Sequence, residues 1–278
     1  MLPFVKMEGC GNDFVVLYRH DLPADAGPSL ASVLCDRRRG IGADGVLVID
    51  AGTSLAKADR EAELSGRLTV WNADGSTAEM CGNGLRCVVR RMEEDGLLPS
   101  GKGTIATGAG PMPVEDRGET IRVAAGTPKL PRGDTALAVE FEGLTITGLV
   151  VSVGNPHFVV FSDQAGPDLP DLRDWGPAVE TNAAFPDRTN VEWAQVREDG
   201  TIEMRVWERG VGETLACGSG ACAVTVAASV SGRTDGGSTR ILLPGGWLRV
   251  DWPGREGDLA FIEGPARTVY RGHWKENT

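Results

Sequence analysis

Trp71-Asn72-Ala73-Asp74-Gly75-Ser76-Thr77-Ala78-Glu79-Met80-Cys81-Gly82-Asn83-Gly84 is the stretch on which the fold turns, because the chain repeats its outline later. In the second half Trp207-Glu208 is followed, after the same eight residues, by Cys217-Gly218-Ser219-Gly220. A looser pair keeps the same order: Gly11-Asn12-Asp13-Phe14-Val15-Val16-Leu17, then Gly154-Asn155-Pro156-His157-Phe158-Val159-Val160-Phe161. Both members of that pair are Gly-Asn turns feeding an apolar, β-branched strand. A period this long does not belong to a solenoid. It fits two domains of similar fold related by duplication.

Working outward, each Cys-Gly-x-Gly opens a helix. Leu85, Val88, Val89 and Met92 recur at three- and four-residue spacing before Gly96, the stripe of a helix with one apolar face. From Ala221 to Val230 the chain is apolar on nearly every side before Gly232, which marks a helix buried all round. Short strands cut by turns fill much of the remainder: 46–49, 67–71, 120–123, 136–141, 144–153, 191–196, 201–207, 240–243, 247–252 and 259–263, with a last one near 268–270. The expected class is mixed α/β (α+β). It has two pseudo-symmetric domains, each a curved, mostly antiparallel sheet or barrel around one central buried helix. The junction falls at Ala125-Gly126-Thr127-Pro128, after a strand and before a Pro/Gly-rich stretch. That gives an N-terminal domain of residues 1–125, to which 263–278 is assigned although its strand could return to either half, and a C-terminal domain of 126–262.

A formal charge of −11 over 278 residues speaks against nucleic acid or an anionic membrane as partner. No stretch approaches the roughly 18 apolar residues of a membrane helix. Met1-Leu2-Pro3-Phe4-Val5-Lys6 lacks the basic head and apolar run of a signal peptide. Six cysteines without such a signal, Cys10, Cys35, Cys81, Cys87, Cys217 and Cys222, read as reduced thiols in the cytoplasm rather than a disulfide framework. Cys87 and Cys222 are rotated away from the helix-opening thiols at about 100° per residue and read as core. The spacing of Cys81 and Cys87 also lies outside that of structural zinc ligands, so no metal is expected. None of the five lysines sits in a motif for a pyridoxal phosphate Schiff base.

A thiol at a helix start meets unpaired N–H groups and a positive dipole end. Both lower its pKa and favour thiolate. The Gly-x-Gly that follows lets the backbone aim N–H groups at an anion. Two such units facing each other would cradle a carboxylate with a sulfur on either side, a geometry for moving a proton between the faces of an α-carbon. Taken alone, one such cysteine is a small core hydrophobe; the duplicated pair points to chemistry. Asn12, Asn72, Asn155 and Asn190 are either turn residues bonding their own backbone or amides for a polar ligand. Glu208-Arg209 is either a surface ion pair or an acid and guanidinium for an amine and a carboxylate. His157 is either structural or functional, and Arg37-Arg38-Arg39 reads as a solvated run.

These residues resemble those of the diaminopimelate epimerase family. The likeness lies in Met7-Glu8-Gly9-Cys10-Gly11-Asn12-Asp13-Phe14, Asn72-Ala73-Asp74-Gly75-Ser76 through Cys81-Gly82-Asn83-Gly84, Gly154-Asn155-Pro156-His157, and Trp207-Glu208-Arg209-Gly210 through Gly218-Ser219-Gly220-Ala221-Cys222. The resemblance implies a cofactor-independent epimerase converting LL- to meso-2,6-diaminopimelate, on the route to lysine and peptidoglycan. It also implies a homodimer of chains with two similar α/β domains. Cys81 and Cys217 become the acid–base pair, with His157 and Glu208 tuning the thiols. Gly82, Asn83, Gly218 and Ser219 become the backbone cradle. Asn12, Asn72, Asn155, Asn190, Glu208 and Arg209 become contacts to the substrate amine and its far end. One departure is Ala43-Asp44-Gly45, where some members carry a substrate-binding Gln and Gly45 offers backbone only. Cys10 is expected as an extra reactive thiol. Two other readings stand beside this one. A proline or hydroxyproline racemase has Glu208-Arg209 against it, since a small imino acid has no distant charged end. A non-catalytic thiol redox sensor or metal binder would show no substrate exchange chemistry.

Overall fold

Val46, Leu47, Val48 and Ile49 are each completely buried, a run sustained only by a strand covered on both faces. In the computed structural model, which describes residues 1–163 and 171–275, they lie inside a sheet with helices on either side. The first unit, Met1–Ala124 with Gly264–Thr278, opens with β1 (Leu2–Gly9), β2 (Asn12–Tyr18), α1 (Ser29–Cys35), β3 (Gly45–Ala51) and α2 (Lys57–Glu61). It continues with β4 (Gly66–Asn72), β5 (Thr77–Ala78), α3 (Gly82–Glu94), β6 (Lys102–Thr107), β7 (Gly110–Asp116) and β8 (Ile121–Gly126). The second unit, Ala125–Glu263, holds β9 (Leu137–Phe141), β10 (Leu144–Ser152), β11 (Pro156–Phe161), α4 (Leu172–Glu180), β12 (Asn190–Val196) and β13 (Ile202–Glu208). There follow β14 (Gly212–Thr214), α5 (Gly218–Val230), β15 (Gly237–Leu243), β16 (Gly246–Trp252) and β17 (Ala260–Gly264). β18 (Arg267–Trp274) returns to pair with β1.

The duplication read in the motifs is also one of topology. Pairing in the first unit runs β18, β1, β2, β3, β4, β6, β7, β8, with β2–β3 and β4–β6 parallel and the rest antiparallel. In the second it runs β9, β10, β11, β12, β13, β15, β16, β17, with β11–β12 and β13–β15 parallel. A parallel neighbour needs a crossover of about a dozen residues. α1 and α4 cross between the first parallel pair of each unit, α3 and α5 between the second. α3 packs against β1, β2, β3, β4 and β7 inside its unit, and α5 against β10 to β13, β15 and β16. α1 covers the other face through Ala31, Leu34 and Cys35 against Val15, Val46 and Trp71. α4 does the same with Leu172, Trp175 and Val179 against Phe158, Val160 and Val191.

Periodicity anticipates α3, α5 and the long strands, while β6, β7, α1 and α4 lack its signal. β7 carries Pro111 and Pro113, and α4 contains Gly176 and Pro177, residues that depress strand and helix propensity respectively. Burial of Trp175 and Val179 outweighs that local cost. The last three residues of the expected 263–278 segment lie outside the described residues. Among the described residues no helix is long and apolar enough to cross a membrane.

Candidate active site

Cys81 is extended (φ −140°, ψ 112°) and sits at the N-cap of α3, where its Sγ accepts the Gly84 N–H at 3.4 Å. Cys217 repeats this at the start of α5: φ −128°, ψ 113°, with the Gly220 N–H at 3.4 Å from Sγ. A hydroxyl or carboxylate usually holds this capping position. A sulfur here receives a backbone hydrogen and the positive end of the helix, both of which favour thiolate. The glycine three residues on is required by crowding. A Cβ on Gly84 would lie 2.7 Å from Leu47 Cδ2, and one on Gly220 would lie 2.9 Å from Glu192 Oε1.

The residue two places after each cysteine bonds the asparagine of the Gly-Asn turn in its own unit. Asn83 Nδ2 donates to Asn12 Oδ1 at 3.2 Å, and Asn155 Nδ2 donates to Ser219 Oγ at 3.4 Å. Around Cys81 the chain extends through polar neighbours. Asn12 Nδ2 donates to Asp44 Oδ2 at 2.7 Å, and Arg37 clamps Asp13 at 2.8 Å and Asp44 at 2.7 Å. Arg37 is exposed, as expected of the arginine run, and its guanidinium also holds the turn that carries Asn12. In the Ala43-Asp44-Gly45 loop it is Asp44 that reaches Asn12. Gly45 sits in β3 opposite Asn72, with the position of its missing Cβ 3.0 Å from the Trp71 carbonyl oxygen. Asn72 itself donates to Ser76 Oγ at 2.8 Å.

Arg86, passed over in the sequence as one of several helix arginines, is fully buried. It donates to Asn83 Oδ1 at 2.9 Å, to the Pro265 carbonyl at 3.2 Å, to the Gly82 carbonyl at 3.4 Å and to Cys10 Sγ at 3.8 Å. An arginine one helical turn after a capping cysteine, flanked by buried Leu85 and Cys87, was the signal available. Cys10 has a left-handed backbone (φ 57°) and is 2% exposed. Burial pushes its thiol up despite the Arg86 guanidinium. The expected extra reactive thiol is thus a buried one. Cys87 and Cys222 are completely buried too, and burial raises both thiols far above the ordinary range.

Cys217 lies among carboxylates. Burial first, then Glu208 and Glu192, raise its thiol well above the ordinary range, while hydrogen bonds from Ser219 and the Gly220 N–H pull the other way. Ser219 Oγ is 3.5 Å from Cys217 Sγ. Burial also raises the Glu208 carboxyl, against hydrogen bonds from Thr214 (2.5 Å) and Cys217. His157 is buried, with Nδ1 2.6 Å from Glu192 Oε1 and Nε2 3.0 Å from Asn155 Oδ1. Glu192 is the second residue passed over in the sequence. It shares a strand face with Asn190, two residues before it, and that alternation was its only signal. Asn190 spends its amide internally, donating to the Pro156 carbonyl at 2.8 Å and accepting the Arg209 N–H at 2.9 Å. The Arg209 side chain is exposed, with one bond to the Asp187 carbonyl at 3.1 Å. Among the described residues no three His, Cys, Asp or Glu side chains gather to hold a metal ion.

The Asn12 turn carries a pH signature. Burial alone would raise the Asp13 carboxyl, but hydrogen bonds from Arg37 and Lys6 hold it far below the ordinary carboxylate range. A depressed folded pKa adds stability above the unfolded value of about 3.9, and that stability is lost as pH falls through the folded pKa. Asp13→Asn is therefore expected to lower the melting temperature at neutral pH, with the gap to wild type narrowing below about pH 4. A gap that stays constant between neutral and acid pH contradicts this.

A family model described as "Diaminopimelate epimerase" matches residues 4–131 and 149–269. The curated "Diaminopimelate epimerase" of Desulforudis audaxviator is 41% identical over 98% of this chain and 99% of its own length. That of Xanthomonas axonopodis pv. citri is 39% identical over 98% and 96% respectively. Among solved structures, a probable proline racemase from Agrobacterium radiobacter has a TM-score of 0.73 at 14% identity, covering 100% of this chain and 94% of its own. A hydroxyproline epimerase from Agrobacterium vitis has a TM-score of 0.72 at 16% identity, covering 97% and 91%. At such identities the structural likeness speaks for the fold alone.

Proposed function

Because the chain belongs to the diaminopimelate epimerase family, we propose that it interconverts LL- and meso-2,6-diaminopimelate with Cys81 and Cys217 as the acid–base pair at one α-carbon. The observation that carries the pairing is its repetition. Two thiols cap two equivalent helices, each with a 3.4 Å bond from the third backbone N–H, in two units of one topology.

An amino-acid α-proton is weakly acidic, and the reaction needs a base on one face of the carbon and an acid on the other. In one direction the Cys81 thiolate takes the α-proton while the Cys217 thiol gives up its own; the reverse exchanges the roles. The resting thiol of Cys217, raised by burial and two carboxylates, suits the donor. Backbone N–H groups of Gly82, Asn83, Gly218 and Ser219 meet the charge that builds on the carboxylate. Each is worth roughly 3 kcal/mol by analogy with oxyanion-hole donors. Each sulfur must stand about 3–3.5 Å from the carbon. Asn12, Asn72 and Asn155 supply amide contacts, Glu208 takes the amine, and Arg209 takes the distant carboxylate as a guanidinium fork. Asn190 contributes by fixing the backbone of Arg209. Glu208 and His157 tune Cys217.

The same reading has the protein work without metal or organic cofactor, as a homodimer, in the cytoplasm, on the route to lysine. Six cysteines, none of them in a disulfide among the described residues, support a reducing compartment. Exposed Val269 and Tyr270 on the outer strand β18 support self-association. The deciding experiment is proton NMR of LL-diaminopimelate with reduced protein in D₂O, beside L-proline. Loss of the diaminopimelate α-proton signal with formation of the meso isomer is expected. Exchange of proline alone replaces the substrate, and exchange of neither in a folded, reduced sample removes the reading.

A further inference from the structure

Glu192 occupies a position that the first unit gives to leucine. Phe14 pairs with Gly45 at the start of β3, and His157 with Asn190 at the start of β12. Two residues on, Leu47 and Glu192 each face the crowded glycine that follows a capping cysteine. In the first unit the equivalent pair is Phe14 and Leu47, 3% and 0% exposed; in the second it is His157 and Glu192, both 0% exposed. One backbone is thus satisfied by two apolar side chains at these sites. A buried carboxylate and imidazole are the costlier solution, and Glu192 Oε2 has no hydrogen-bond partner among the described residues.

The bonds from Glu192 lead to the reacting sulfur. His157 Nδ1 is 2.6 Å from Glu192 Oε1 and its Nε2 is 3.0 Å from Asn155 Oδ1. Asn155 Nδ2 donates to Ser219 Oγ, which lies 3.5 Å from Cys217 Sγ. A carboxylate and an amide carbonyl both accept, so each ring nitrogen faces an acceptor. The Asn155 amide then donates to Ser219, and the serine hydrogen is left for sulfur. The titratable groups facing this array are Glu192 on β12, Glu208 on β13 and Cys217 at the start of α5.

We propose that Glu192 is a positioning residue for the epimerisation: it holds His157 hydrogenated on both nitrogens, and through Asn155 and Ser219 this directs a hydroxyl hydrogen at Cys217 when that sulfur becomes thiolate. No proton travels the chain; its order is what matters. Without the carboxylate, Nε2 becomes an acceptor, the Asn155 amide turns over, and the Ser219 hydrogen goes to Asn155 instead of sulfur. At the positions of His157 and Glu192 the first unit carries Phe14 and Leu47 instead. The inference rests on Cys217 being a reacting thiol.

Two variants of the full-length reduced protein test it: Glu192→Gln, which keeps the shape, and His157→Phe/Glu192→Leu, which installs the first unit's pair. The readouts are kcat and KM across pH, thermal unfolding, and a titration of ultraviolet thiolate absorbance differenced against the same protein carrying Cys217→Ser. Both variants are expected to lose about tenfold or more in kcat, a charge-assisted bond's worth, with KM changed by no more than about twofold. The Cys217 titration moves up by about one pH unit, and the double variant melts no lower than wild type. Wild-type kcat and titration in Glu192→Gln overturn the proposal. So does a titration shifted to lower pH, the result if Glu192 only repelled the thiolate. A changed melting temperature with an unmoved titration assigns Glu192 a structural role and overturns it too. Should the double variant not fold, Glu192→Gln decides alone. Full activity in Cys217→Ser removes the underlying reading instead, whereas an inactive Cys217→Ser beside a wild-type Glu192→Gln discards only the role of Glu192.

Discussion

Replacing Cys81 with serine lowers kcat by roughly 10²–10⁴-fold, and replacing Cys217 does the same, since each substitution removes one partner of the proton transfer. A serine hydroxyl is a far poorer base than a thiolate and a far weaker acid than a thiol. It is also the preferred capping residue at a helix start, where both cysteines sit. Melting temperatures therefore stay near or above wild type, which separates lost chemistry from lost structure. The cap bonds from Gly84 and Gly220 pass to oxygen, and the rest of each helix start is untouched. The measurement is the initial rate in each direction beside a thermal melt. Near-wild-type turnover in either single variant would remove the acid–base pair from the account.

Arg86→Met destabilises the protein by about 3 kcal/mol or more, because buried acceptors left without donors cost about 1–3 kcal/mol each. The guanidinium is fully buried and serves three oxygens, those of Asn83, Gly82 and Pro265, as well as the Cys10 sulfur. Methionine fills much of the same volume and donates nothing. A stability of about 5–15 kcal/mol is usual for a domain, so the loss is a large share of it. The Pro265 bond ties α3 to the segment that precedes β18, so protection of backbone amides in β18 and β1 falls first. Activity falls as well, since Asn83 loses one of the partners that set its amide. Urea unfolding within about 1 kcal/mol of wild type contradicts this role.

What could be read ahead of the structure was whatever local periodicity or a repeated motif records. The two cysteines, their helices and the strands on either side belong to that class. So does the pseudo-symmetry, because duplication copies the spacing that side chains need. The parallel pairs β2–β3 and β11–β12 do not, since they depend on crossovers α1 and α4 whose sequences are short or broken by Gly176 and Pro177. The polar partners were least legible. Arg37 belongs to a run of three arginines and acts through Asp13 and Asp44, which its neighbours in sequence do not disclose. Arg86 bonds a carbonyl at Pro265, far along the chain. Glu192 stands in a strand that also carries Asn190 and Gln195, and only superposing its register on that of Leu47 gives its burial a meaning. Cys10 shows the reverse error. Its glycine neighbours suggest an open turn, yet the chain closes over it.

Directional isotope incorporation tests the two-base claim most directly. LL-diaminopimelate is mixed with reduced protein in D₂O and sampled at the earliest conversion, and both isomers are read by proton NMR and mass. Separate acid and base on opposite faces predict meso product carrying deuterium at the inverted carbon while the remaining LL substrate keeps its protium. Meso product that retains the substrate's own α-proton would mean that one group serves both faces, and the paired roles of Cys81 and Cys217 would be wrong.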